Sequence, residues 1–276
     1  MKTERLPRIF TKQYSNKHSR QRFAAGLGCI LAVLGSLRAE RAQGPVFSDD
    51  FTAGKLDATK WEVATYRSPD SKAGINNGTY VADAIDFATG MLRIKVTQQE
   101  RNGVVQSLGG AIISKDRFSY GTYEFTMRMS TTADGPNADG KTLTGAVSSA
   151  FLYYNNSESE IDLEFLGNEN AIYITNWQNP TPSHAPKGDV KQADKVNDEF
   201  LGTRFRDYRL VWLPDSVKVY IDGTLVTTHD QHVPTAPAHI IIQHRGTNSK
   251  EWGGMASVGV TRYLYVRNVK FTPLDR

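Results

Sequence analysis

Acidic and largely apolar side chains alternate through Glu158-Ser159-Glu160-Ile161-Asp162-Leu163-Glu164-Phe165. A β-strand sends successive side chains to opposite faces. The segment therefore predicts a strand with Glu158, Glu160, Asp162 and Glu164 on one face and Ile161, Leu163 and Phe165 in a core. Like charges in such a row repel, and the repulsion is relieved when at least one carboxyl keeps its proton. A solvated acidic strand face in a structural network is the plain alternative.

The rest of the chain from Val46 onward agrees with a β-protein. Short β-rich runs are broken by Gly, Asn, Asp and Pro, the pattern of a sandwich or barrel. Strands are expected at Met91–Val96, Ala111–Ser114, Gly121–Met129, Ala146–Tyr154, Glu158–Leu166, Ile172–Trp177, Tyr208–Leu213, Val217–Ile221, Thr224–Thr228, His239–Gln243 and Ser257–Phe271. Asp222-Gly223 marks a hairpin turn between two of them. Two long polar loops, Ser130–Thr142 and Gln178–Glu199, are expected to border a cleft. There is no internal repeat and no long amphipathic helix.

The first 42 residues read differently. A basic polar stretch precedes the apolar run Phe23–Leu37, and Arg38-Ala39-Glu40-Arg41-Ala42 follows. This is the layout of a secretory leader. The run falls short of the about 20 residues that span a membrane; an uncleaved N-terminal anchor is the alternative. Residues 1–42 hold nine of the 33 basic and two of the 29 acidic residues, so residues 43–276 carry 24 basic against 27 acidic, a net charge of −3. That excludes a basic nucleic-acid binder. The single cysteine, Cys29, lies inside the apolar run, so the domain 43–276 has neither disulfide nor thiol chemistry and rests on its core.

An ionised and a protonated carboxyl side by side are what glycosidic bond cleavage requires. Retaining enzymes set the two groups ~5–5.5 Å apart. On an extended strand the Cα atoms of Glu160 and Glu164 lie roughly 13 Å apart, a gap that two glutamates leaning together largely close. Asp162, between them, is placed to hydrogen-bond one and tune both. An inverting pair would need a wider gap, and the spacing favours retention only mildly.

Glu160-Ile161-Asp162-Leu163-Glu164-Phe165-Leu166-Gly167 resembles the active-site motif of glycoside hydrolase family 16 in its form without a bulge. Phe118–Glu124, Tyr208–Gly223, Gln243–Gly254 and Val269–Phe271 resemble further family segments in the same order, so the likeness covers Val46 to the C-terminus. It implies an all-β fold, a β-jelly-roll sandwich of two antiparallel sheets with a concave substrate cleft. It also implies a retaining endo-glycosidase with Glu160 as nucleophile, Asp162 as its helper and Glu164 as acid/base, its pKa raised by the neighbouring charges so that it starts protonated. A transglycosylase with the same residues, a lectin-like sandwich and a calcium-binding acidic strand are the competing functions.

Sugar binding needs aromatic platforms with polar groups around them. Tyr173 and Trp177 share the parity opposite Ile172 and Ile174, and Trp177 is the leading platform; Trp252 is a second candidate. By the resemblance, Glu124 and Gln243 face the cleft, although Glu124 is equally suited to a surface ion pair with Arg128. Trp61 and Trp212 are read as core. His184, His229, His232, His239 and His244 lack metal-ligand spacing and are read as surface or sugar-contact residues.

The chain departs from family patterns at three places. Glu158 stands where the lichenase and xyloglucan branches carry Trp or His, and Ile242-Gln243-His244-Arg245-Gly246 lacks the aromatic platform of lichenases. Arg267 occupies a position where some relatives place a calcium-binding Asp, so no metal and no cofactor are expected. The expected partner is a polysaccharide, with no nucleic acid and no membrane after leader removal, and the protein is expected to act as a secreted monomer. N-terminal sequencing of exported protein should begin near Gln43, after cleavage at Ala42; an intact Met1 on protein kept in the cytoplasm would contradict this.

Overall fold

The computed structural model describes residues 46–67, 78–87 and 90–275. The leader expected over residues 1–42, with Cys29, lies outside them. In chain order the strands are β1 (Phe47–Asp49), β2 (Trp61–Val63), β3 (Gly78–Tyr80), β4 (Ile85–Asp86), β5 (Leu92–Arg101), β6 (Val104–Phe118), β7 (Gly121–Thr131) and β8 (Ala146–Tyr154). There follow β9 (Ser159–Leu166), β10 (Ala171–Trp177), β11 (Lys191–Asn197), β12 (Arg206–Trp212), β13 (Val217–Ile221), β14 (Thr224–His229), β15 (Ala238–Gly246) and β16 (Arg262–Pro273). Among the described residues the only helix is a 3-10 turn at Ala82–Ala84, and none is long and apolar enough to cross a membrane.

The hydrogen-bonded order is β11-β10-β9-β8-β15-β6-β5-β16-β7-β12-β13-β14. Strands β11 to β6 make one layer and β5 to β14 the other, with antiparallel pairing throughout this path. This is the all-β jelly-roll sandwich expected. The β5–β6 hairpin joins the layers: the first half of β5 pairs with β16, its second half with β6, and β6 then pairs with β15. Its turn, Asn102-Gly103, has φ of 53° and 73°, the doubly left-handed type I′ form that matches strand twist. That Asn-Gly signal was present in the sequence, and both strands run longer than the expected Met91–Val96 and Ala111–Ser114. Asp222-Gly223 turns the same way, as expected.

Alternation places the core between the layers. Ile161, Leu163 and Phe165 of β9 and Ile172 and Ile174 of β10 share one buried cluster with Tyr123, Phe125 and Met127 of β7. Truncating one of the large members to alanine costs about 2–5 kcal/mol. Trp61 and Trp212 are buried as read, and each indole N–H has an acceptor, Asp49 Oδ2 at 2.9 Å and the Pro234 carbonyl at 3.0 Å. Residues Gln178–Glu199 are not all loop, because they contain β11. Its sequence, KQADKVN, is exposed except at the half-buried Gln192 and Val196 and pairs with β10 as an edge strand. Lysines there discourage further strand addition.

The histidine reading is corrected at two positions. His229 and His244 are fully buried. His229 Nδ1 pairs with Asn176 Oδ1 and its Nε2 lies 3.2 Å from Asp194 Oδ2, tying β14 to β10 and β11 across the open edge of the sandwich. Burial pulls His244 down to about 3, and lowers His229 as well.

Glu124 is also corrected. It lies on β7 in the second layer, opposite Arg209 of β12 and Lys270 of β16. Tyr123, Phe125 and Met127 fill the core, so Glu124 points out of the far side and lines a shallow hollow with Asp207, Arg209, Asn268 and Lys270. Alternation separated the faces of β7 correctly but carried no information on which layer the strand joins. Its alternative partner, Arg128, is buried and donates to the carbonyls of Pro136 and Ala138. Glu124→Ala should leave turnover of a polysaccharide within about twofold of the parent, because a surface charge pair contributes little; a large loss in the assay would return Glu124 to the site.

Candidate active site

Strand β9 lies between β8 and β10, and their registers make a grid on the layer's outer face. Glu160 sits between Tyr153 and Trp177, Asp162 between Phe151 and Thr175, and Glu164 between Ser149 and Tyr173. On the next strands out, Gln243 lies beyond Ser149, Lys191 beyond Trp177 and Lys195 beyond Tyr173. The fold thus brings together Glu160, Asp162, Glu164, Tyr173, Trp177 and Gln243. Glu158 leaves the row: β9 starts at Ser159, and the Glu158 carboxylate accepts from Asn155 Nδ2 at 2.6 Å within the turn. Three carboxyls, not four, share the face.

Their environments differ. Asp162 is 6% exposed. Burial first, then the charges of Glu160 and Glu164, push its carboxyl well above the usual range, and a hydrogen bond with Glu160 adds to this. The Trp177 indole N–H, 3.2 Å from Asp162 Oδ2, acts in the opposite direction. The carboxyl driven upward by the row is therefore the central one. Glu160 is half-buried and accepts from the Ser157 hydroxyl. Glu164 is half-buried and lies 3.6 Å from Nη2 of Arg245, a largely buried guanidinium.

Aromatic rings flank both ends of the row. Trp177 is half-buried beside Glu160, with Lys191 Nζ 4.4 Å from its ring centroid. Tyr173, beside Glu164, has its ring 4.8 Å from that of Trp252 and its hydroxyl donates to Glu169 at 2.8 Å. Trp252 thereby joins the face through Tyr173. Gln243 is on the face but already engaged: its amide donates to Ser149 Oγ at 3.1 Å and its carbonyl accepts from the Tyr80 hydroxyl. It builds the wall of the site. Tyr80, Arg245 and Ser157 were not identified from sequence. For Arg245 the signal was available, since it shares the parity of Gln243 on β15. Among the described residues no group of three His, Cys, Asp or Glu side chains is arranged to hold a metal.

Such a row can bind a ring between aromatic faces and present an ionised carboxylate, a proton reservoir and a second glutamate along one edge. It also carries a stability penalty with a defined pH dependence. The folded Asp162 binds its proton more tightly than the unfolded chain does. Its contribution to stability is therefore full below the unfolded value of about 3.9 and is lost as pH rises through the folded value. Asp162→Asn cannot ionise, so the variant should melt at a higher temperature than the parent near neutral pH, with the gain vanishing toward pH 4 or below, while activity falls. Thermal scans across pH check this, and a gain that does not vary with pH would contradict it.

The profile of the family described as Glycosyl hydrolases family 16 matches residues 73–257. A β-glucanase of Acetivibrio thermocellus is 26% identical over 239 residues, covering 83% of this chain; the chain spans 64% of that protein's length. The endo-1,3-1,4-beta-glycanase ExoK of Rhizobium meliloti (strain 1021) is 28% identical over 237 residues, covering 82% of this chain and 78% of that one. Among solved structures, a prokaryotic β-1,3-1,4-glucanase (lichenase) derived from a mouse hindgut metagenome superposes with a TM-score of 0.66 at 22% identity, covering 83% of this chain and 99% of that one. The laminarinase catalytic domain of Thermotoga maritima MSB8 gives 0.67 at 17% identity, covering 86% and 100%. At these identities the structural likeness concerns the fold.

Proposed function

The chain belongs to glycosyl hydrolases family 16, and from that premise we propose that it is an exported, retaining endo-glycosidase acting on β-linked polysaccharide. The observation that carries the reading is the row Glu160, Asp162 and Glu164 on one strand face, flanked by the rings of Trp177 and Tyr173. In the first step a Glu160 carboxylate oxygen bonds to the anomeric carbon. The glycosidic C–O bond breaks, and the leaving oxygen takes the proton of Glu164. In the second step water attacks that carbon, Glu164 takes its proton, and the ester bond breaks to return the Glu160 carboxylate. Protonated Asp162 donates to Glu160, keeping it oriented and anionic. Arg245 stabilises the carboxylate left when Glu164 has given up its proton.

The names of the relatives point to β-glucans as the first polymers to test. In the stretch where lichenases carry an aromatic platform, this chain turns His244 into the core and brings Arg245 beside Glu164. The linkage preference is therefore expected to differ from that of lichenases. Trp177 and the Tyr173–Trp252 pair supply the flat apolar surfaces on which sugar rings rest.

Glu160→Ala should lower turnover on the preferred polymer by at least about 10⁴-fold, as for loss of one member of a covalent catalytic set. Azide should restore cleavage and give the α-glycosyl azide. Glu164→Ala should be slow on polymer and less impaired on an activated aryl glycoside, with azide giving the β-product. Proton NMR of the first-formed anomer decides the stereochemistry: an inverted first product, or near-parental activity in either variant, contradicts the assignment.

A further inference from the structure

The turn between β8 and β9 holds Asn155, Asn156 and Ser157 at φ of 46°, 55° and 63°. Three successive left-handed residues are rare, because L-residues visit that region singly and serine has little tolerance for it. The conformation persists because the neighbouring loop holds it. The Asn179 backbone N–H donates to the Ser157 carbonyl at 2.8 Å, and Asn179 Nδ2 donates to the Asn156 carbonyl at 2.8 Å. Asn156 Nδ2 in turn donates to the carbonyls of Pro182 and His184 at 3.2 and 2.7 Å. Asn179 itself is 1% exposed. The result of this forced turn is that the Ser157 hydroxyl points back along the strand onto the Glu160 carboxylate. Strain maintained by surrounding contacts beside reacting groups is a sign of a functional constraint.

We propose that Ser157 is a positioning residue for Glu160, acting chiefly when the carboxylate is released from the glycosyl intermediate. This rests on Glu160 being the nucleophile. A hydroxyl donor favours the charged carboxylate over the ester, since the ester is the weaker acceptor. The hydrogen bond therefore holds one carboxylate oxygen in place in the free enzyme, weakens when Glu160 forms its bond to the sugar, and strengthens again as that bond breaks. Its largest effect falls on the second step, where the carboxylate is the leaving group and water is the attacking group.

Other groups face Glu160 and enter any pH dependence. Asp162 is on its own strand, Tyr153 lies beside it on β8, and His239 of β15 lies beyond Tyr153. Lys191 of β11 lies over the Trp177 ring on the other side, and Glu158 occupies the same turn as Ser157. Ser157 differs from all of these in having no group that titrates, so its removal alters the row without adding or deleting a charge.

Two variants separate the hydroxyl from the strain. Ser157→Gly removes the hydroxyl and relieves the left-handed backbone, whereas Ser157→Ala removes the hydroxyl and keeps the strain. With an activated aryl glycoside, both should lower kcat by about tenfold, the rate equivalent of one charge-assisted hydrogen bond. KM should fall with kcat, and a burst of aryl release should mark accumulation of the glycosyl-enzyme. The acid limb of kcat/KM should move up by about one pH unit. The melting temperature of Ser157→Gly should equal or exceed that of the parent. The proposal is overturned if Ser157→Gly keeps parental kcat and pH profile, if only the alanine variant is impaired, or if activity in the glycine variant falls together with thermal stability. Azide rescue of Glu160→Ala, run alongside, tests the underlying reading. Rescue with an unaffected Ser157→Gly sinks this proposal alone, whereas no rescue sinks the assignment of Glu160.

Discussion

Three carboxyls fixed at alternate positions of one strand cannot all ionise without strong mutual repulsion, and the rest of the site follows from how that conflict is resolved. The strand cannot turn away from it. Ile161, Leu163 and Phe165 occupy the core between the layers, and a one-residue slip would exchange that apolar face for the acidic one. Hydrophobic burial on the inner side thus forces electrostatic strain on the outer side. The conflict falls hardest on the most buried carboxyl, Asp162, whose proton is held more tightly than in an exposed carboxyl. Its neighbours are left to act in different roles, although the three residues are chemically alike.

The surrounding groups refine that arrangement without neutralising it. Among the described residues Asp162 meets the neutral indole of Trp177 and the adjacent glutamates, and no cation pairs with it. A guanidinium, Arg245, is placed on Glu164 at one end of the row, and a hydroxyl, Ser157, on Glu160 at the other. A lysine inserted centrally would stabilise the fold and pin all three charges, removing the proton that distinguishes them. The instability of the row and its chemical usefulness are the same property.

Much of this was legible in sequence where one-dimensional rules suffice. The limits of β8 and β13 coincide with the expected spans, and the parity of Tyr173 and Trp177 against Ile172 and Ile174 agrees with their place on the acidic face. Parity specifies a face, but a sandwich has two outer faces; the resemblance assigns Glu124 to the cleft, and β7 lies in the other layer. Edge strand β11 was missed because its polar sequence offers only Val196 to the core, too little for an alternating pattern; pairing with β10 makes it a strand. Glu158 was drawn into the row because alternation continues through it, while the left-handed turn ending at Ser157 interrupts the geometry. The burial of His244 could have been read from its alternation with Ile240 and Ile242, had polarity been given less weight than period.

A sandwich with long loops and no disulfide in its described residues needs other cross-links, and two buried arginines supply them. Arg262 donates to the carbonyls of Ser257, Val260 and Gly145 and to the side chain of Gln98, which itself donates to the Thr247 carbonyl. Burial lowers its guanidinium only to about 10, so it remains charged at neutral pH. Arg128 gathers the carbonyls of Pro136, Ala138 and Gly202 in the same manner. A buried charge without a carboxylate partner is tolerated only if several acceptors converge on it. That requirement makes each arginine a geometric template: the loops must present their carbonyls at one point or leave an ion unsolvated. Residues 247 and 257 bracket the loop that carries Trp252 against Tyr173. The position of an aromatic ring on the site's face thus depends on an ion buried behind it, which links loop placement to the same electrostatic penalty that organises the acid row.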